Sequence, residues 1–208
     1  MSDIVNRIHA HVEAHGDERI SLLKNKEVIR WLFHDTSFLK KVEGKNKEEI
    51  RKKNKAKEDD WGRSVMRLRR PDLELKKQWT NKFGEHLCEE MYILLGKECS
   101  KPEIIEGDNP DLETDDDMKE SKAQTYFTKG TAGEKILGVA HKYRKVLKNY
   151  KKPITVVCIG MAETLGREKY GILPSPVLTE LDQEFLDFYK KKGTTFIGAT
   201  DLLKQLIA

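Results

Sequence analysis

Two carboxylates and a lysine occur in one short segment, at Asp111, Glu120 and Lys122. The segment is typical of two strands, residues 111–114 and 118–125, joined by an acidic turn. Residues two apart on a strand point to the same side, so Glu120 and Lys122 share a face. Because Asp111 falls on the neighbouring strand, we expect the three charged groups to converge at one point.

This combination suits hydrolysis of a phosphodiester bond. Mg²⁺ prefers hard oxygen ligands and keeps several of its waters, so two carboxylates are enough to bind it. A bound Mg²⁺ polarises the phosphate and lowers the pKa of a bound water. Lys122 can orient that water, since nearby carboxylates favour its charged form. Gln124, on the same strand face, can contact a phosphate or the water network. The alternative interpretation is a charged surface hairpin closed by an acidic turn.

The elements that must position these groups follow from apolar periodicity and breakers. We predict helices over residues 2–15, 20–33, 36–60 (charged), 79–95, 132–150, 178–192 and 200–207. Besides the two hairpin strands, we predict strands over residues 103–106, 154–159 and 195–197. The helix from Ala132 follows a loop with Gly130 and Gly133, whose free N–H groups can bind a phosphate. Lys135 adds positive charge there, although a helix merely solvated by lysines gives the same pattern.

The order of these motifs resembles the type II restriction endonucleases of the PD-(D/E)XK class. The matching elements are Pro-Asp-Leu-Glu-Thr-Asp at 110–115, Glu-Ser-Lys at 120–122, Gly-Thr-Ala-Gly-Glu-Lys-Ile-Leu-Gly at 130–138, Lys-Tyr at 142–143 and the apolar strand at 154–159. Residues 78–87 also look like the first helix of that family. The resemblance spans roughly residues 75 to 165. Ser121 departs from it, being polar where many relatives have an apolar residue.

The resemblance implies an α/β fold: a restriction-endonuclease-like core with a mixed central sheet flanked by helices. It implies hydrolysis of double-stranded DNA to a 5′-phosphate and a 3′-hydroxyl. By carry-over, Asp111 and Glu120 bind Mg²⁺ and Lys122 assists the attacking water. Some members add an acid from the first helix. We assign Glu90, which lies on the apolar arc of that helix, and keep Glu85 as the alternative.

Charge is unevenly distributed along the chain. Charged residues make up 36% of it and the net charge is only +4, so the clusters are more informative than the total. Residues 45–57 and 63–70 are strongly basic, as expected of a surface that holds phosphates, whereas residues 103–120 are acidic. A solvated charged surface is the alternative. We assign DNA binding to Lys52, Lys53, Lys55, Arg63, Arg67, Arg69, Arg70, Gln124 and Lys135, the arginines as candidates for base contacts.

The resemblance implies a PD-(D/E)XK nuclease core over residues 75–208, preceded by a helical, basic region over residues 1–74 that we expect to contribute to DNA recognition. Its three cysteines fit neither zinc nor disulfide spacing, which predicts reduced thiols in a cytoplasmic protein. No signal peptide or membrane span is expected. A symmetric duplex target favours a homodimer. Three alternatives remain open: a repair or junction-resolving nuclease, a non-catalytic DNA-binding protein, and a phosphohydrolase acting on small molecules.

Overall fold

A computed structural model of the chain describes residues 2–40, 42–75, 78–104, 107–128, 132–150, 152–176 and 178–208, with the side chains of residues 132–134 left aside. These ranges form an α/β fold in which helices flank a mixed sheet. A helical region lies at the N-terminus. The predicted fold class is confirmed at that level.

The helices within the described ranges are α1 (Ser2–Ala14), α2 (Lys26–Leu32), α3 (Lys47–Arg69), α4 (Trp79–Leu94), α5 (Ala132–Leu137), α6 (Val139–Lys142), α7 (Arg144–Tyr150), α8 (Met161–Glu168), α9 (Glu180–Lys191) and α10 (Ala199–Gln205). The strands are β1 (Leu112–Glu113), β2 (Met118–Gln124), β3 (Ile154–Gly160) and β4 (Thr194–Gly198). They lie in the order β1-β2-β3-β4, with β1 antiparallel to β2 and the other pairs parallel.

Strand β3 separates two hydrophobic cores. Val157 and Ile159 point into a core formed with α1, α2, α4 and α10. Val156 and Cys158 point into a second core, formed with helices α5 to α8. Since helices cover both faces of the sheet, every one of these positions is apolar, which explains the apolar run at residues 156–159.

The N-terminal helices pack directly against the sheet-bearing part of the chain. Val5, Ile8 and Val12 of α1 belong to the same core as Val157 on β3. Helix α3 lies so close to α4 that a Cβ at Gly62 would fall 2.2 Å from the Trp79 ring. Residues 1–74 therefore help to build the scaffold, while the proposed domain boundary after residue 74 stays a prediction.

Several predicted elements differ in extent. The helix expected from Ile20 begins only at Lys26, because the Asn25 side chain caps it by accepting from the Glu27 N–H at 2.9 Å. Residues 132–150 form three short helices rather than one, and α8 was not predicted. Of the strand expected over 103–106, residues 103–104 are not in a strand, and residues 105–106 lie outside the described ranges.

Cys88, Cys99 and Cys158 are free thiols, and Cys88 and Cys158 are buried.

No helix within the described ranges is both long and apolar enough to cross a membrane.

Candidate active site

Asp111 is held in place by strand β2. It lies immediately before β1, which pairs with β2 so that Leu112 stands opposite Lys119. Its Oδ2 atom accepts hydrogen bonds from the backbone N–H and from the hydroxyl of Ser121, both at 2.7 Å. The polar residue that departs from the family pattern thus orients the Asp111 carboxylate.

Strand β2 presents its functional side chains from one face. Glu120 is only 3% exposed, and the Lys122 ammonium group donates a hydrogen bond to its Oε1 atom. Gln124 continues the face, and its buried amide oxygen has no hydrogen-bond partner in the described protein. Asp111, Glu120, Lys122 and Gln124 all line one cleft, as their spacing predicts.

The second oxygen of Glu120 is fixed by a tyrosine that sequence reasoning did not assign. Tyr143, which is buried, donates from its hydroxyl to Glu120 Oε2 at 2.7 Å. The Nζ atom of Lys142 lies 2.5 Å from that hydroxyl and 3.6 Å from Glu120 Oε1. The Lys-Tyr pair was noted only as part of the family resemblance. Helices α5 and α6 lie between Glu120 and Tyr143 in the sequence, so the apolar periodicity of single elements could not predict this contact.

Negative charge accumulates around Asp111. Burial and the charge of Glu120 raise the pKa of Asp111 to about 6, against the lowering effect of its hydrogen bonds from Ser121. Glu85, on helix α4, adds a smaller contribution in the same direction. Glu120 has the ammonium group of Lys122 beside it, whereas the hydrogen bonds that the Asp111 carboxylate accepts from the described residues come from the neutral donors of Ser121. This part of the cleft would be stabilised by a cation.

Glu90 lies away from the cleft, which corrects its assignment as the helix acid. Its carboxylate is 1% exposed and accepts hydrogen bonds from the backbone N–H groups of residues 21, 22 and 23 at 2.9–3.0 Å. It therefore provides the hydrogen-bond acceptors for the backbone N–H groups of the loop before α2. Glu85 instead lines the cleft, and its Oε2 atom accepts a hydrogen bond from the Lys82 ammonium group at 2.5 Å. The alternative residue is thus the one that the fold places near Asp111.

Glu90→Gln separates these two roles. An amide offers one acceptor oxygen where the carboxylate offers two, so some of the buried N–H groups lose their hydrogen-bond acceptor. The free energy of unfolding, measured by urea denaturation, should therefore fall by about 2 kcal/mol. The metal response of the cleft should not change. A variant that keeps full stability but loses its metal response would instead return Glu90 to the active site.

The cleft has a volume of about 640 Å³ and lies between α3, α4 and β2. Helix α3 contributes Lys55 and Asp59 to its wall. Asp59 Oδ1 accepts from the Trp79 indole N–H at 2.8 Å and also from the Lys55 ammonium group. The basic helix α3 is thus anchored at the same cleft as the carboxylates.

The nine residues predicted to bind DNA fall into three places. Lys55, Gln124 and Lys135 line the cleft. Lys52 and Lys53 lie on the exposed side of α3, paired with Glu48 and Glu49 one turn earlier. The remaining residues lie at the far end of α3: Arg63, Arg67, Arg69 and Arg70. Arg67 is twelve residues from Lys55, about 18 Å along the helix. The predicted residues are therefore spread over separate parts of the surface and do not form one patch.

The predicted glycine-rich phosphate loop lies only partly within the described ranges. Residues 129–131 are outside them, and Gly133 is described only as part of the backbone of α5. Lys135 on that helix is exposed and faces the cleft.

Comparison of the chain with protein-family models, with curated proteins and with solved structures finds no match. The function of the cleft is therefore inferred from its own chemistry. In the described part of the chain, no group of three or more histidine, cysteine, aspartate or glutamate side chains is arranged to hold a metal ion. A metal bound here would have to rely on two carboxylates and on water.

Proposed function

We propose that this chain is a type II site-specific endodeoxyribonuclease with a restriction-endonuclease-like PD-(D/E)XK core, which hydrolyses double-stranded DNA with Mg²⁺ and leaves 5′-phosphate ends. The observation that carries the proposal is the convergence of Asp111, Glu120 and Lys122 in one cleft. Lys55 and Lys135 in its wall supply positive charge for the phosphates of a nucleic acid.

The donor set fits Mg²⁺. The ion is satisfied by one or two carboxylates together with water, which Asp111 and Glu120 provide without a third acid. The raised pKa of Asp111, caused by burial and by Glu120, indicates negative charge that a cation would offset. The unpartnered amide oxygen of Gln124 can accept from a water in the same cleft. When bound, Mg²⁺ would polarise the phosphate and acidify a water.

The protein's own groups have complementary roles. Tyr143 and Lys122 hold the two oxygens of Glu120, so this carboxylate cannot rotate away from the cleft. The Lys122 ammonium group lies against Glu120 and positions the attacking water, or a phosphate oxygen, as a hydrogen-bond donor. Ser121 fixes the direction of Asp111.

Phosphate binding should make the affinity for DNA depend on salt. Lys135→Ala should lower the slope of log affinity against log salt concentration by about 1, since one phosphate contact releases roughly one counterion. Lys97→Ala, at a lysine that does not line the cleft, should leave the slope unchanged. Equal slopes for Lys135→Ala and the unmodified protein, measured by filter binding with EDTA, would remove Lys135 from the DNA interface.

The proposed activity is tested on long duplex DNA. Phage DNA is incubated with the purified protein, in Mg²⁺ and in EDTA. Discrete fragments that need Mg²⁺ support a site-specific endonuclease, and sequencing their ends gives the site. Smeared or structure-selective cutting would favour a repair or junction-resolving nuclease. Intact DNA despite tight binding would favour a non-catalytic DNA-binding protein.

A duplex with a symmetric site presents two strands to be cut. A homodimer places one cleft at each strand, so that the symmetry of the protein matches that of the DNA. We therefore propose a homodimer as the active form.

A further inference from the structure

Helix α9 exposes a stripe of large apolar side chains. Leu181, Phe185 and Phe188 are 59%, 56% and 55% exposed. They stand at the spacing i, i+4, i+7 and therefore form one face of the helix. The helix packs on the molecule through other residues, with Tyr189 against Phe196 of β4 at a ring distance of 5.3 Å. Contiguous exposed apolar surface of this kind marks a site of interaction.

Charge along α9 is separated from one end to the other. The first turn carries Glu180 and Asp182, and the last turn carries Lys190 and Lys191. The Lys192 ammonium group lies 5.7 Å from the Phe188 ring centroid, at the basic end of the stripe. The acidic half disfavours DNA as the occupant of this surface, because phosphate would be repelled.

The most complementary partner for such a helix is the same helix running in the opposite direction. In an antiparallel pair centred near Phe185, Leu181 of one copy meets Phe188 of the other. The acidic first turn, with Glu180, then lies beside the basic last turn, with Lys191. A parallel pair would set like charges together. The antiparallel arrangement has two-fold symmetry, in which one patch contacts itself.

We infer that the α9 face is a homodimer interface, in which two copies of this chain pair antiparallel through Leu181, Phe185 and Phe188. The inference deepens the proposed function, since two copies are what duplex cleavage requires. It is nevertheless tested without DNA or metal, so a failed interface and a failed nuclease assignment are distinguishable.

Sedimentation equilibrium of the full chain provides the first measurement. The unmodified protein is expected to dimerise. Phe185→Asp with Phe188→Asp should weaken the dimer by about a hundredfold, as loss of buried aromatic anchors does. Leu68→Asp, at a 73% exposed leucine on α3, is the matched control and should leave the dimer intact. A monomeric unmodified protein, or a dimer equally weakened by Leu68→Asp, overturns the inference.

Charge reversal tests the orientation independently of apolar packing. One variant carries Glu180→Lys, and the other carries Lys191→Glu. Both side chains are exposed, so both variants should fold, which circular dichroism checks. Each variant alone should dimerise about tenfold more weakly, because its two ends then carry like charge. Mixing the two should restore a mixed dimer, and failure of the mixture to associate overturns the antiparallel arrangement.

Discussion

Lys122→Ala is expected to lower the single-turnover rate of DNA cleavage by about a thousandfold, a loss of about 4 kcal/mol of transition-state stabilisation. The ammonium group is held against Glu120 in the cleft and lies closer to that carboxylate than the ammonium group of Lys142 does. Its removal takes away the donor that positions the water or the phosphate as charge develops. DNA affinity should change little, because Lys55 and Lys135 remain.

Lys135→Ala is the matched control for that experiment. Lys135 also lines the cleft, but it lies on α5 rather than on β2. Its loss should weaken binding and leave the rate of the bound complex within about tenfold of the original. Cleavage by Lys122→Ala at the unmodified rate would exclude the proposed role of this lysine.

Asp111→Asn should abolish cleavage and at the same time stabilise the metal-free protein. The asparagine keeps an oxygen that can accept the hydrogen bonds from Ser121 and removes a charge that burial and Glu120 disfavour. We expect the free energy of unfolding in EDTA at neutral pH to rise by about 1 kcal/mol, discounted for the partial exposure of the group. Thermal melting measures this directly.

The same variant tests the metal site. Mg²⁺ should raise the melting temperature of the unmodified protein, since a ligand that binds the folded state stabilises it. Asp111→Asn should lose that increase, whereas Asp115→Asn, in the exposed turn, should retain it. An equal rise in melting temperature with Mg²⁺ for Asp111→Asn would show that Asp111 is no metal ligand. A lower melting temperature of Asp111→Asn without metal would show that burial and Glu120 do not disfavour the charge of Asp111.

The hairpin site was predictable because its geometry is local. Strand alternation alone places Glu120, Lys122 and Gln124 on one face, and the turn brings Asp111 back beside them. The apolar residues of Ile154–Ile159, interrupted only by Thr155, likewise predicted a strand buried on both faces.

The apolar arc of α4 led to Glu90, which lies away from the cleft, because the arc identifies which side chains are buried and not what they face. Glu90 and Glu85 lie about 140° apart around α4. The buried direction leads to the loop before α2, where three N–H groups need an acceptor. That loop is far away in sequence, and so is the contact between Tyr143 and Glu120. Such pairings depend on tertiary packing, which periodicity does not encode.

The most direct test of the central claim is the Mg²⁺ dependence of phosphodiester cleavage, measured with end analysis on duplex DNA for the unmodified protein and for Lys122→Ala. We predict fragments with 5′-phosphate ends that appear with Mg²⁺, disappear with EDTA and are lost in Lys122→Ala. Cleavage that persists in EDTA, or that Lys122→Ala performs equally well, would contradict the assignment of the cleft as a metal-dependent nuclease site.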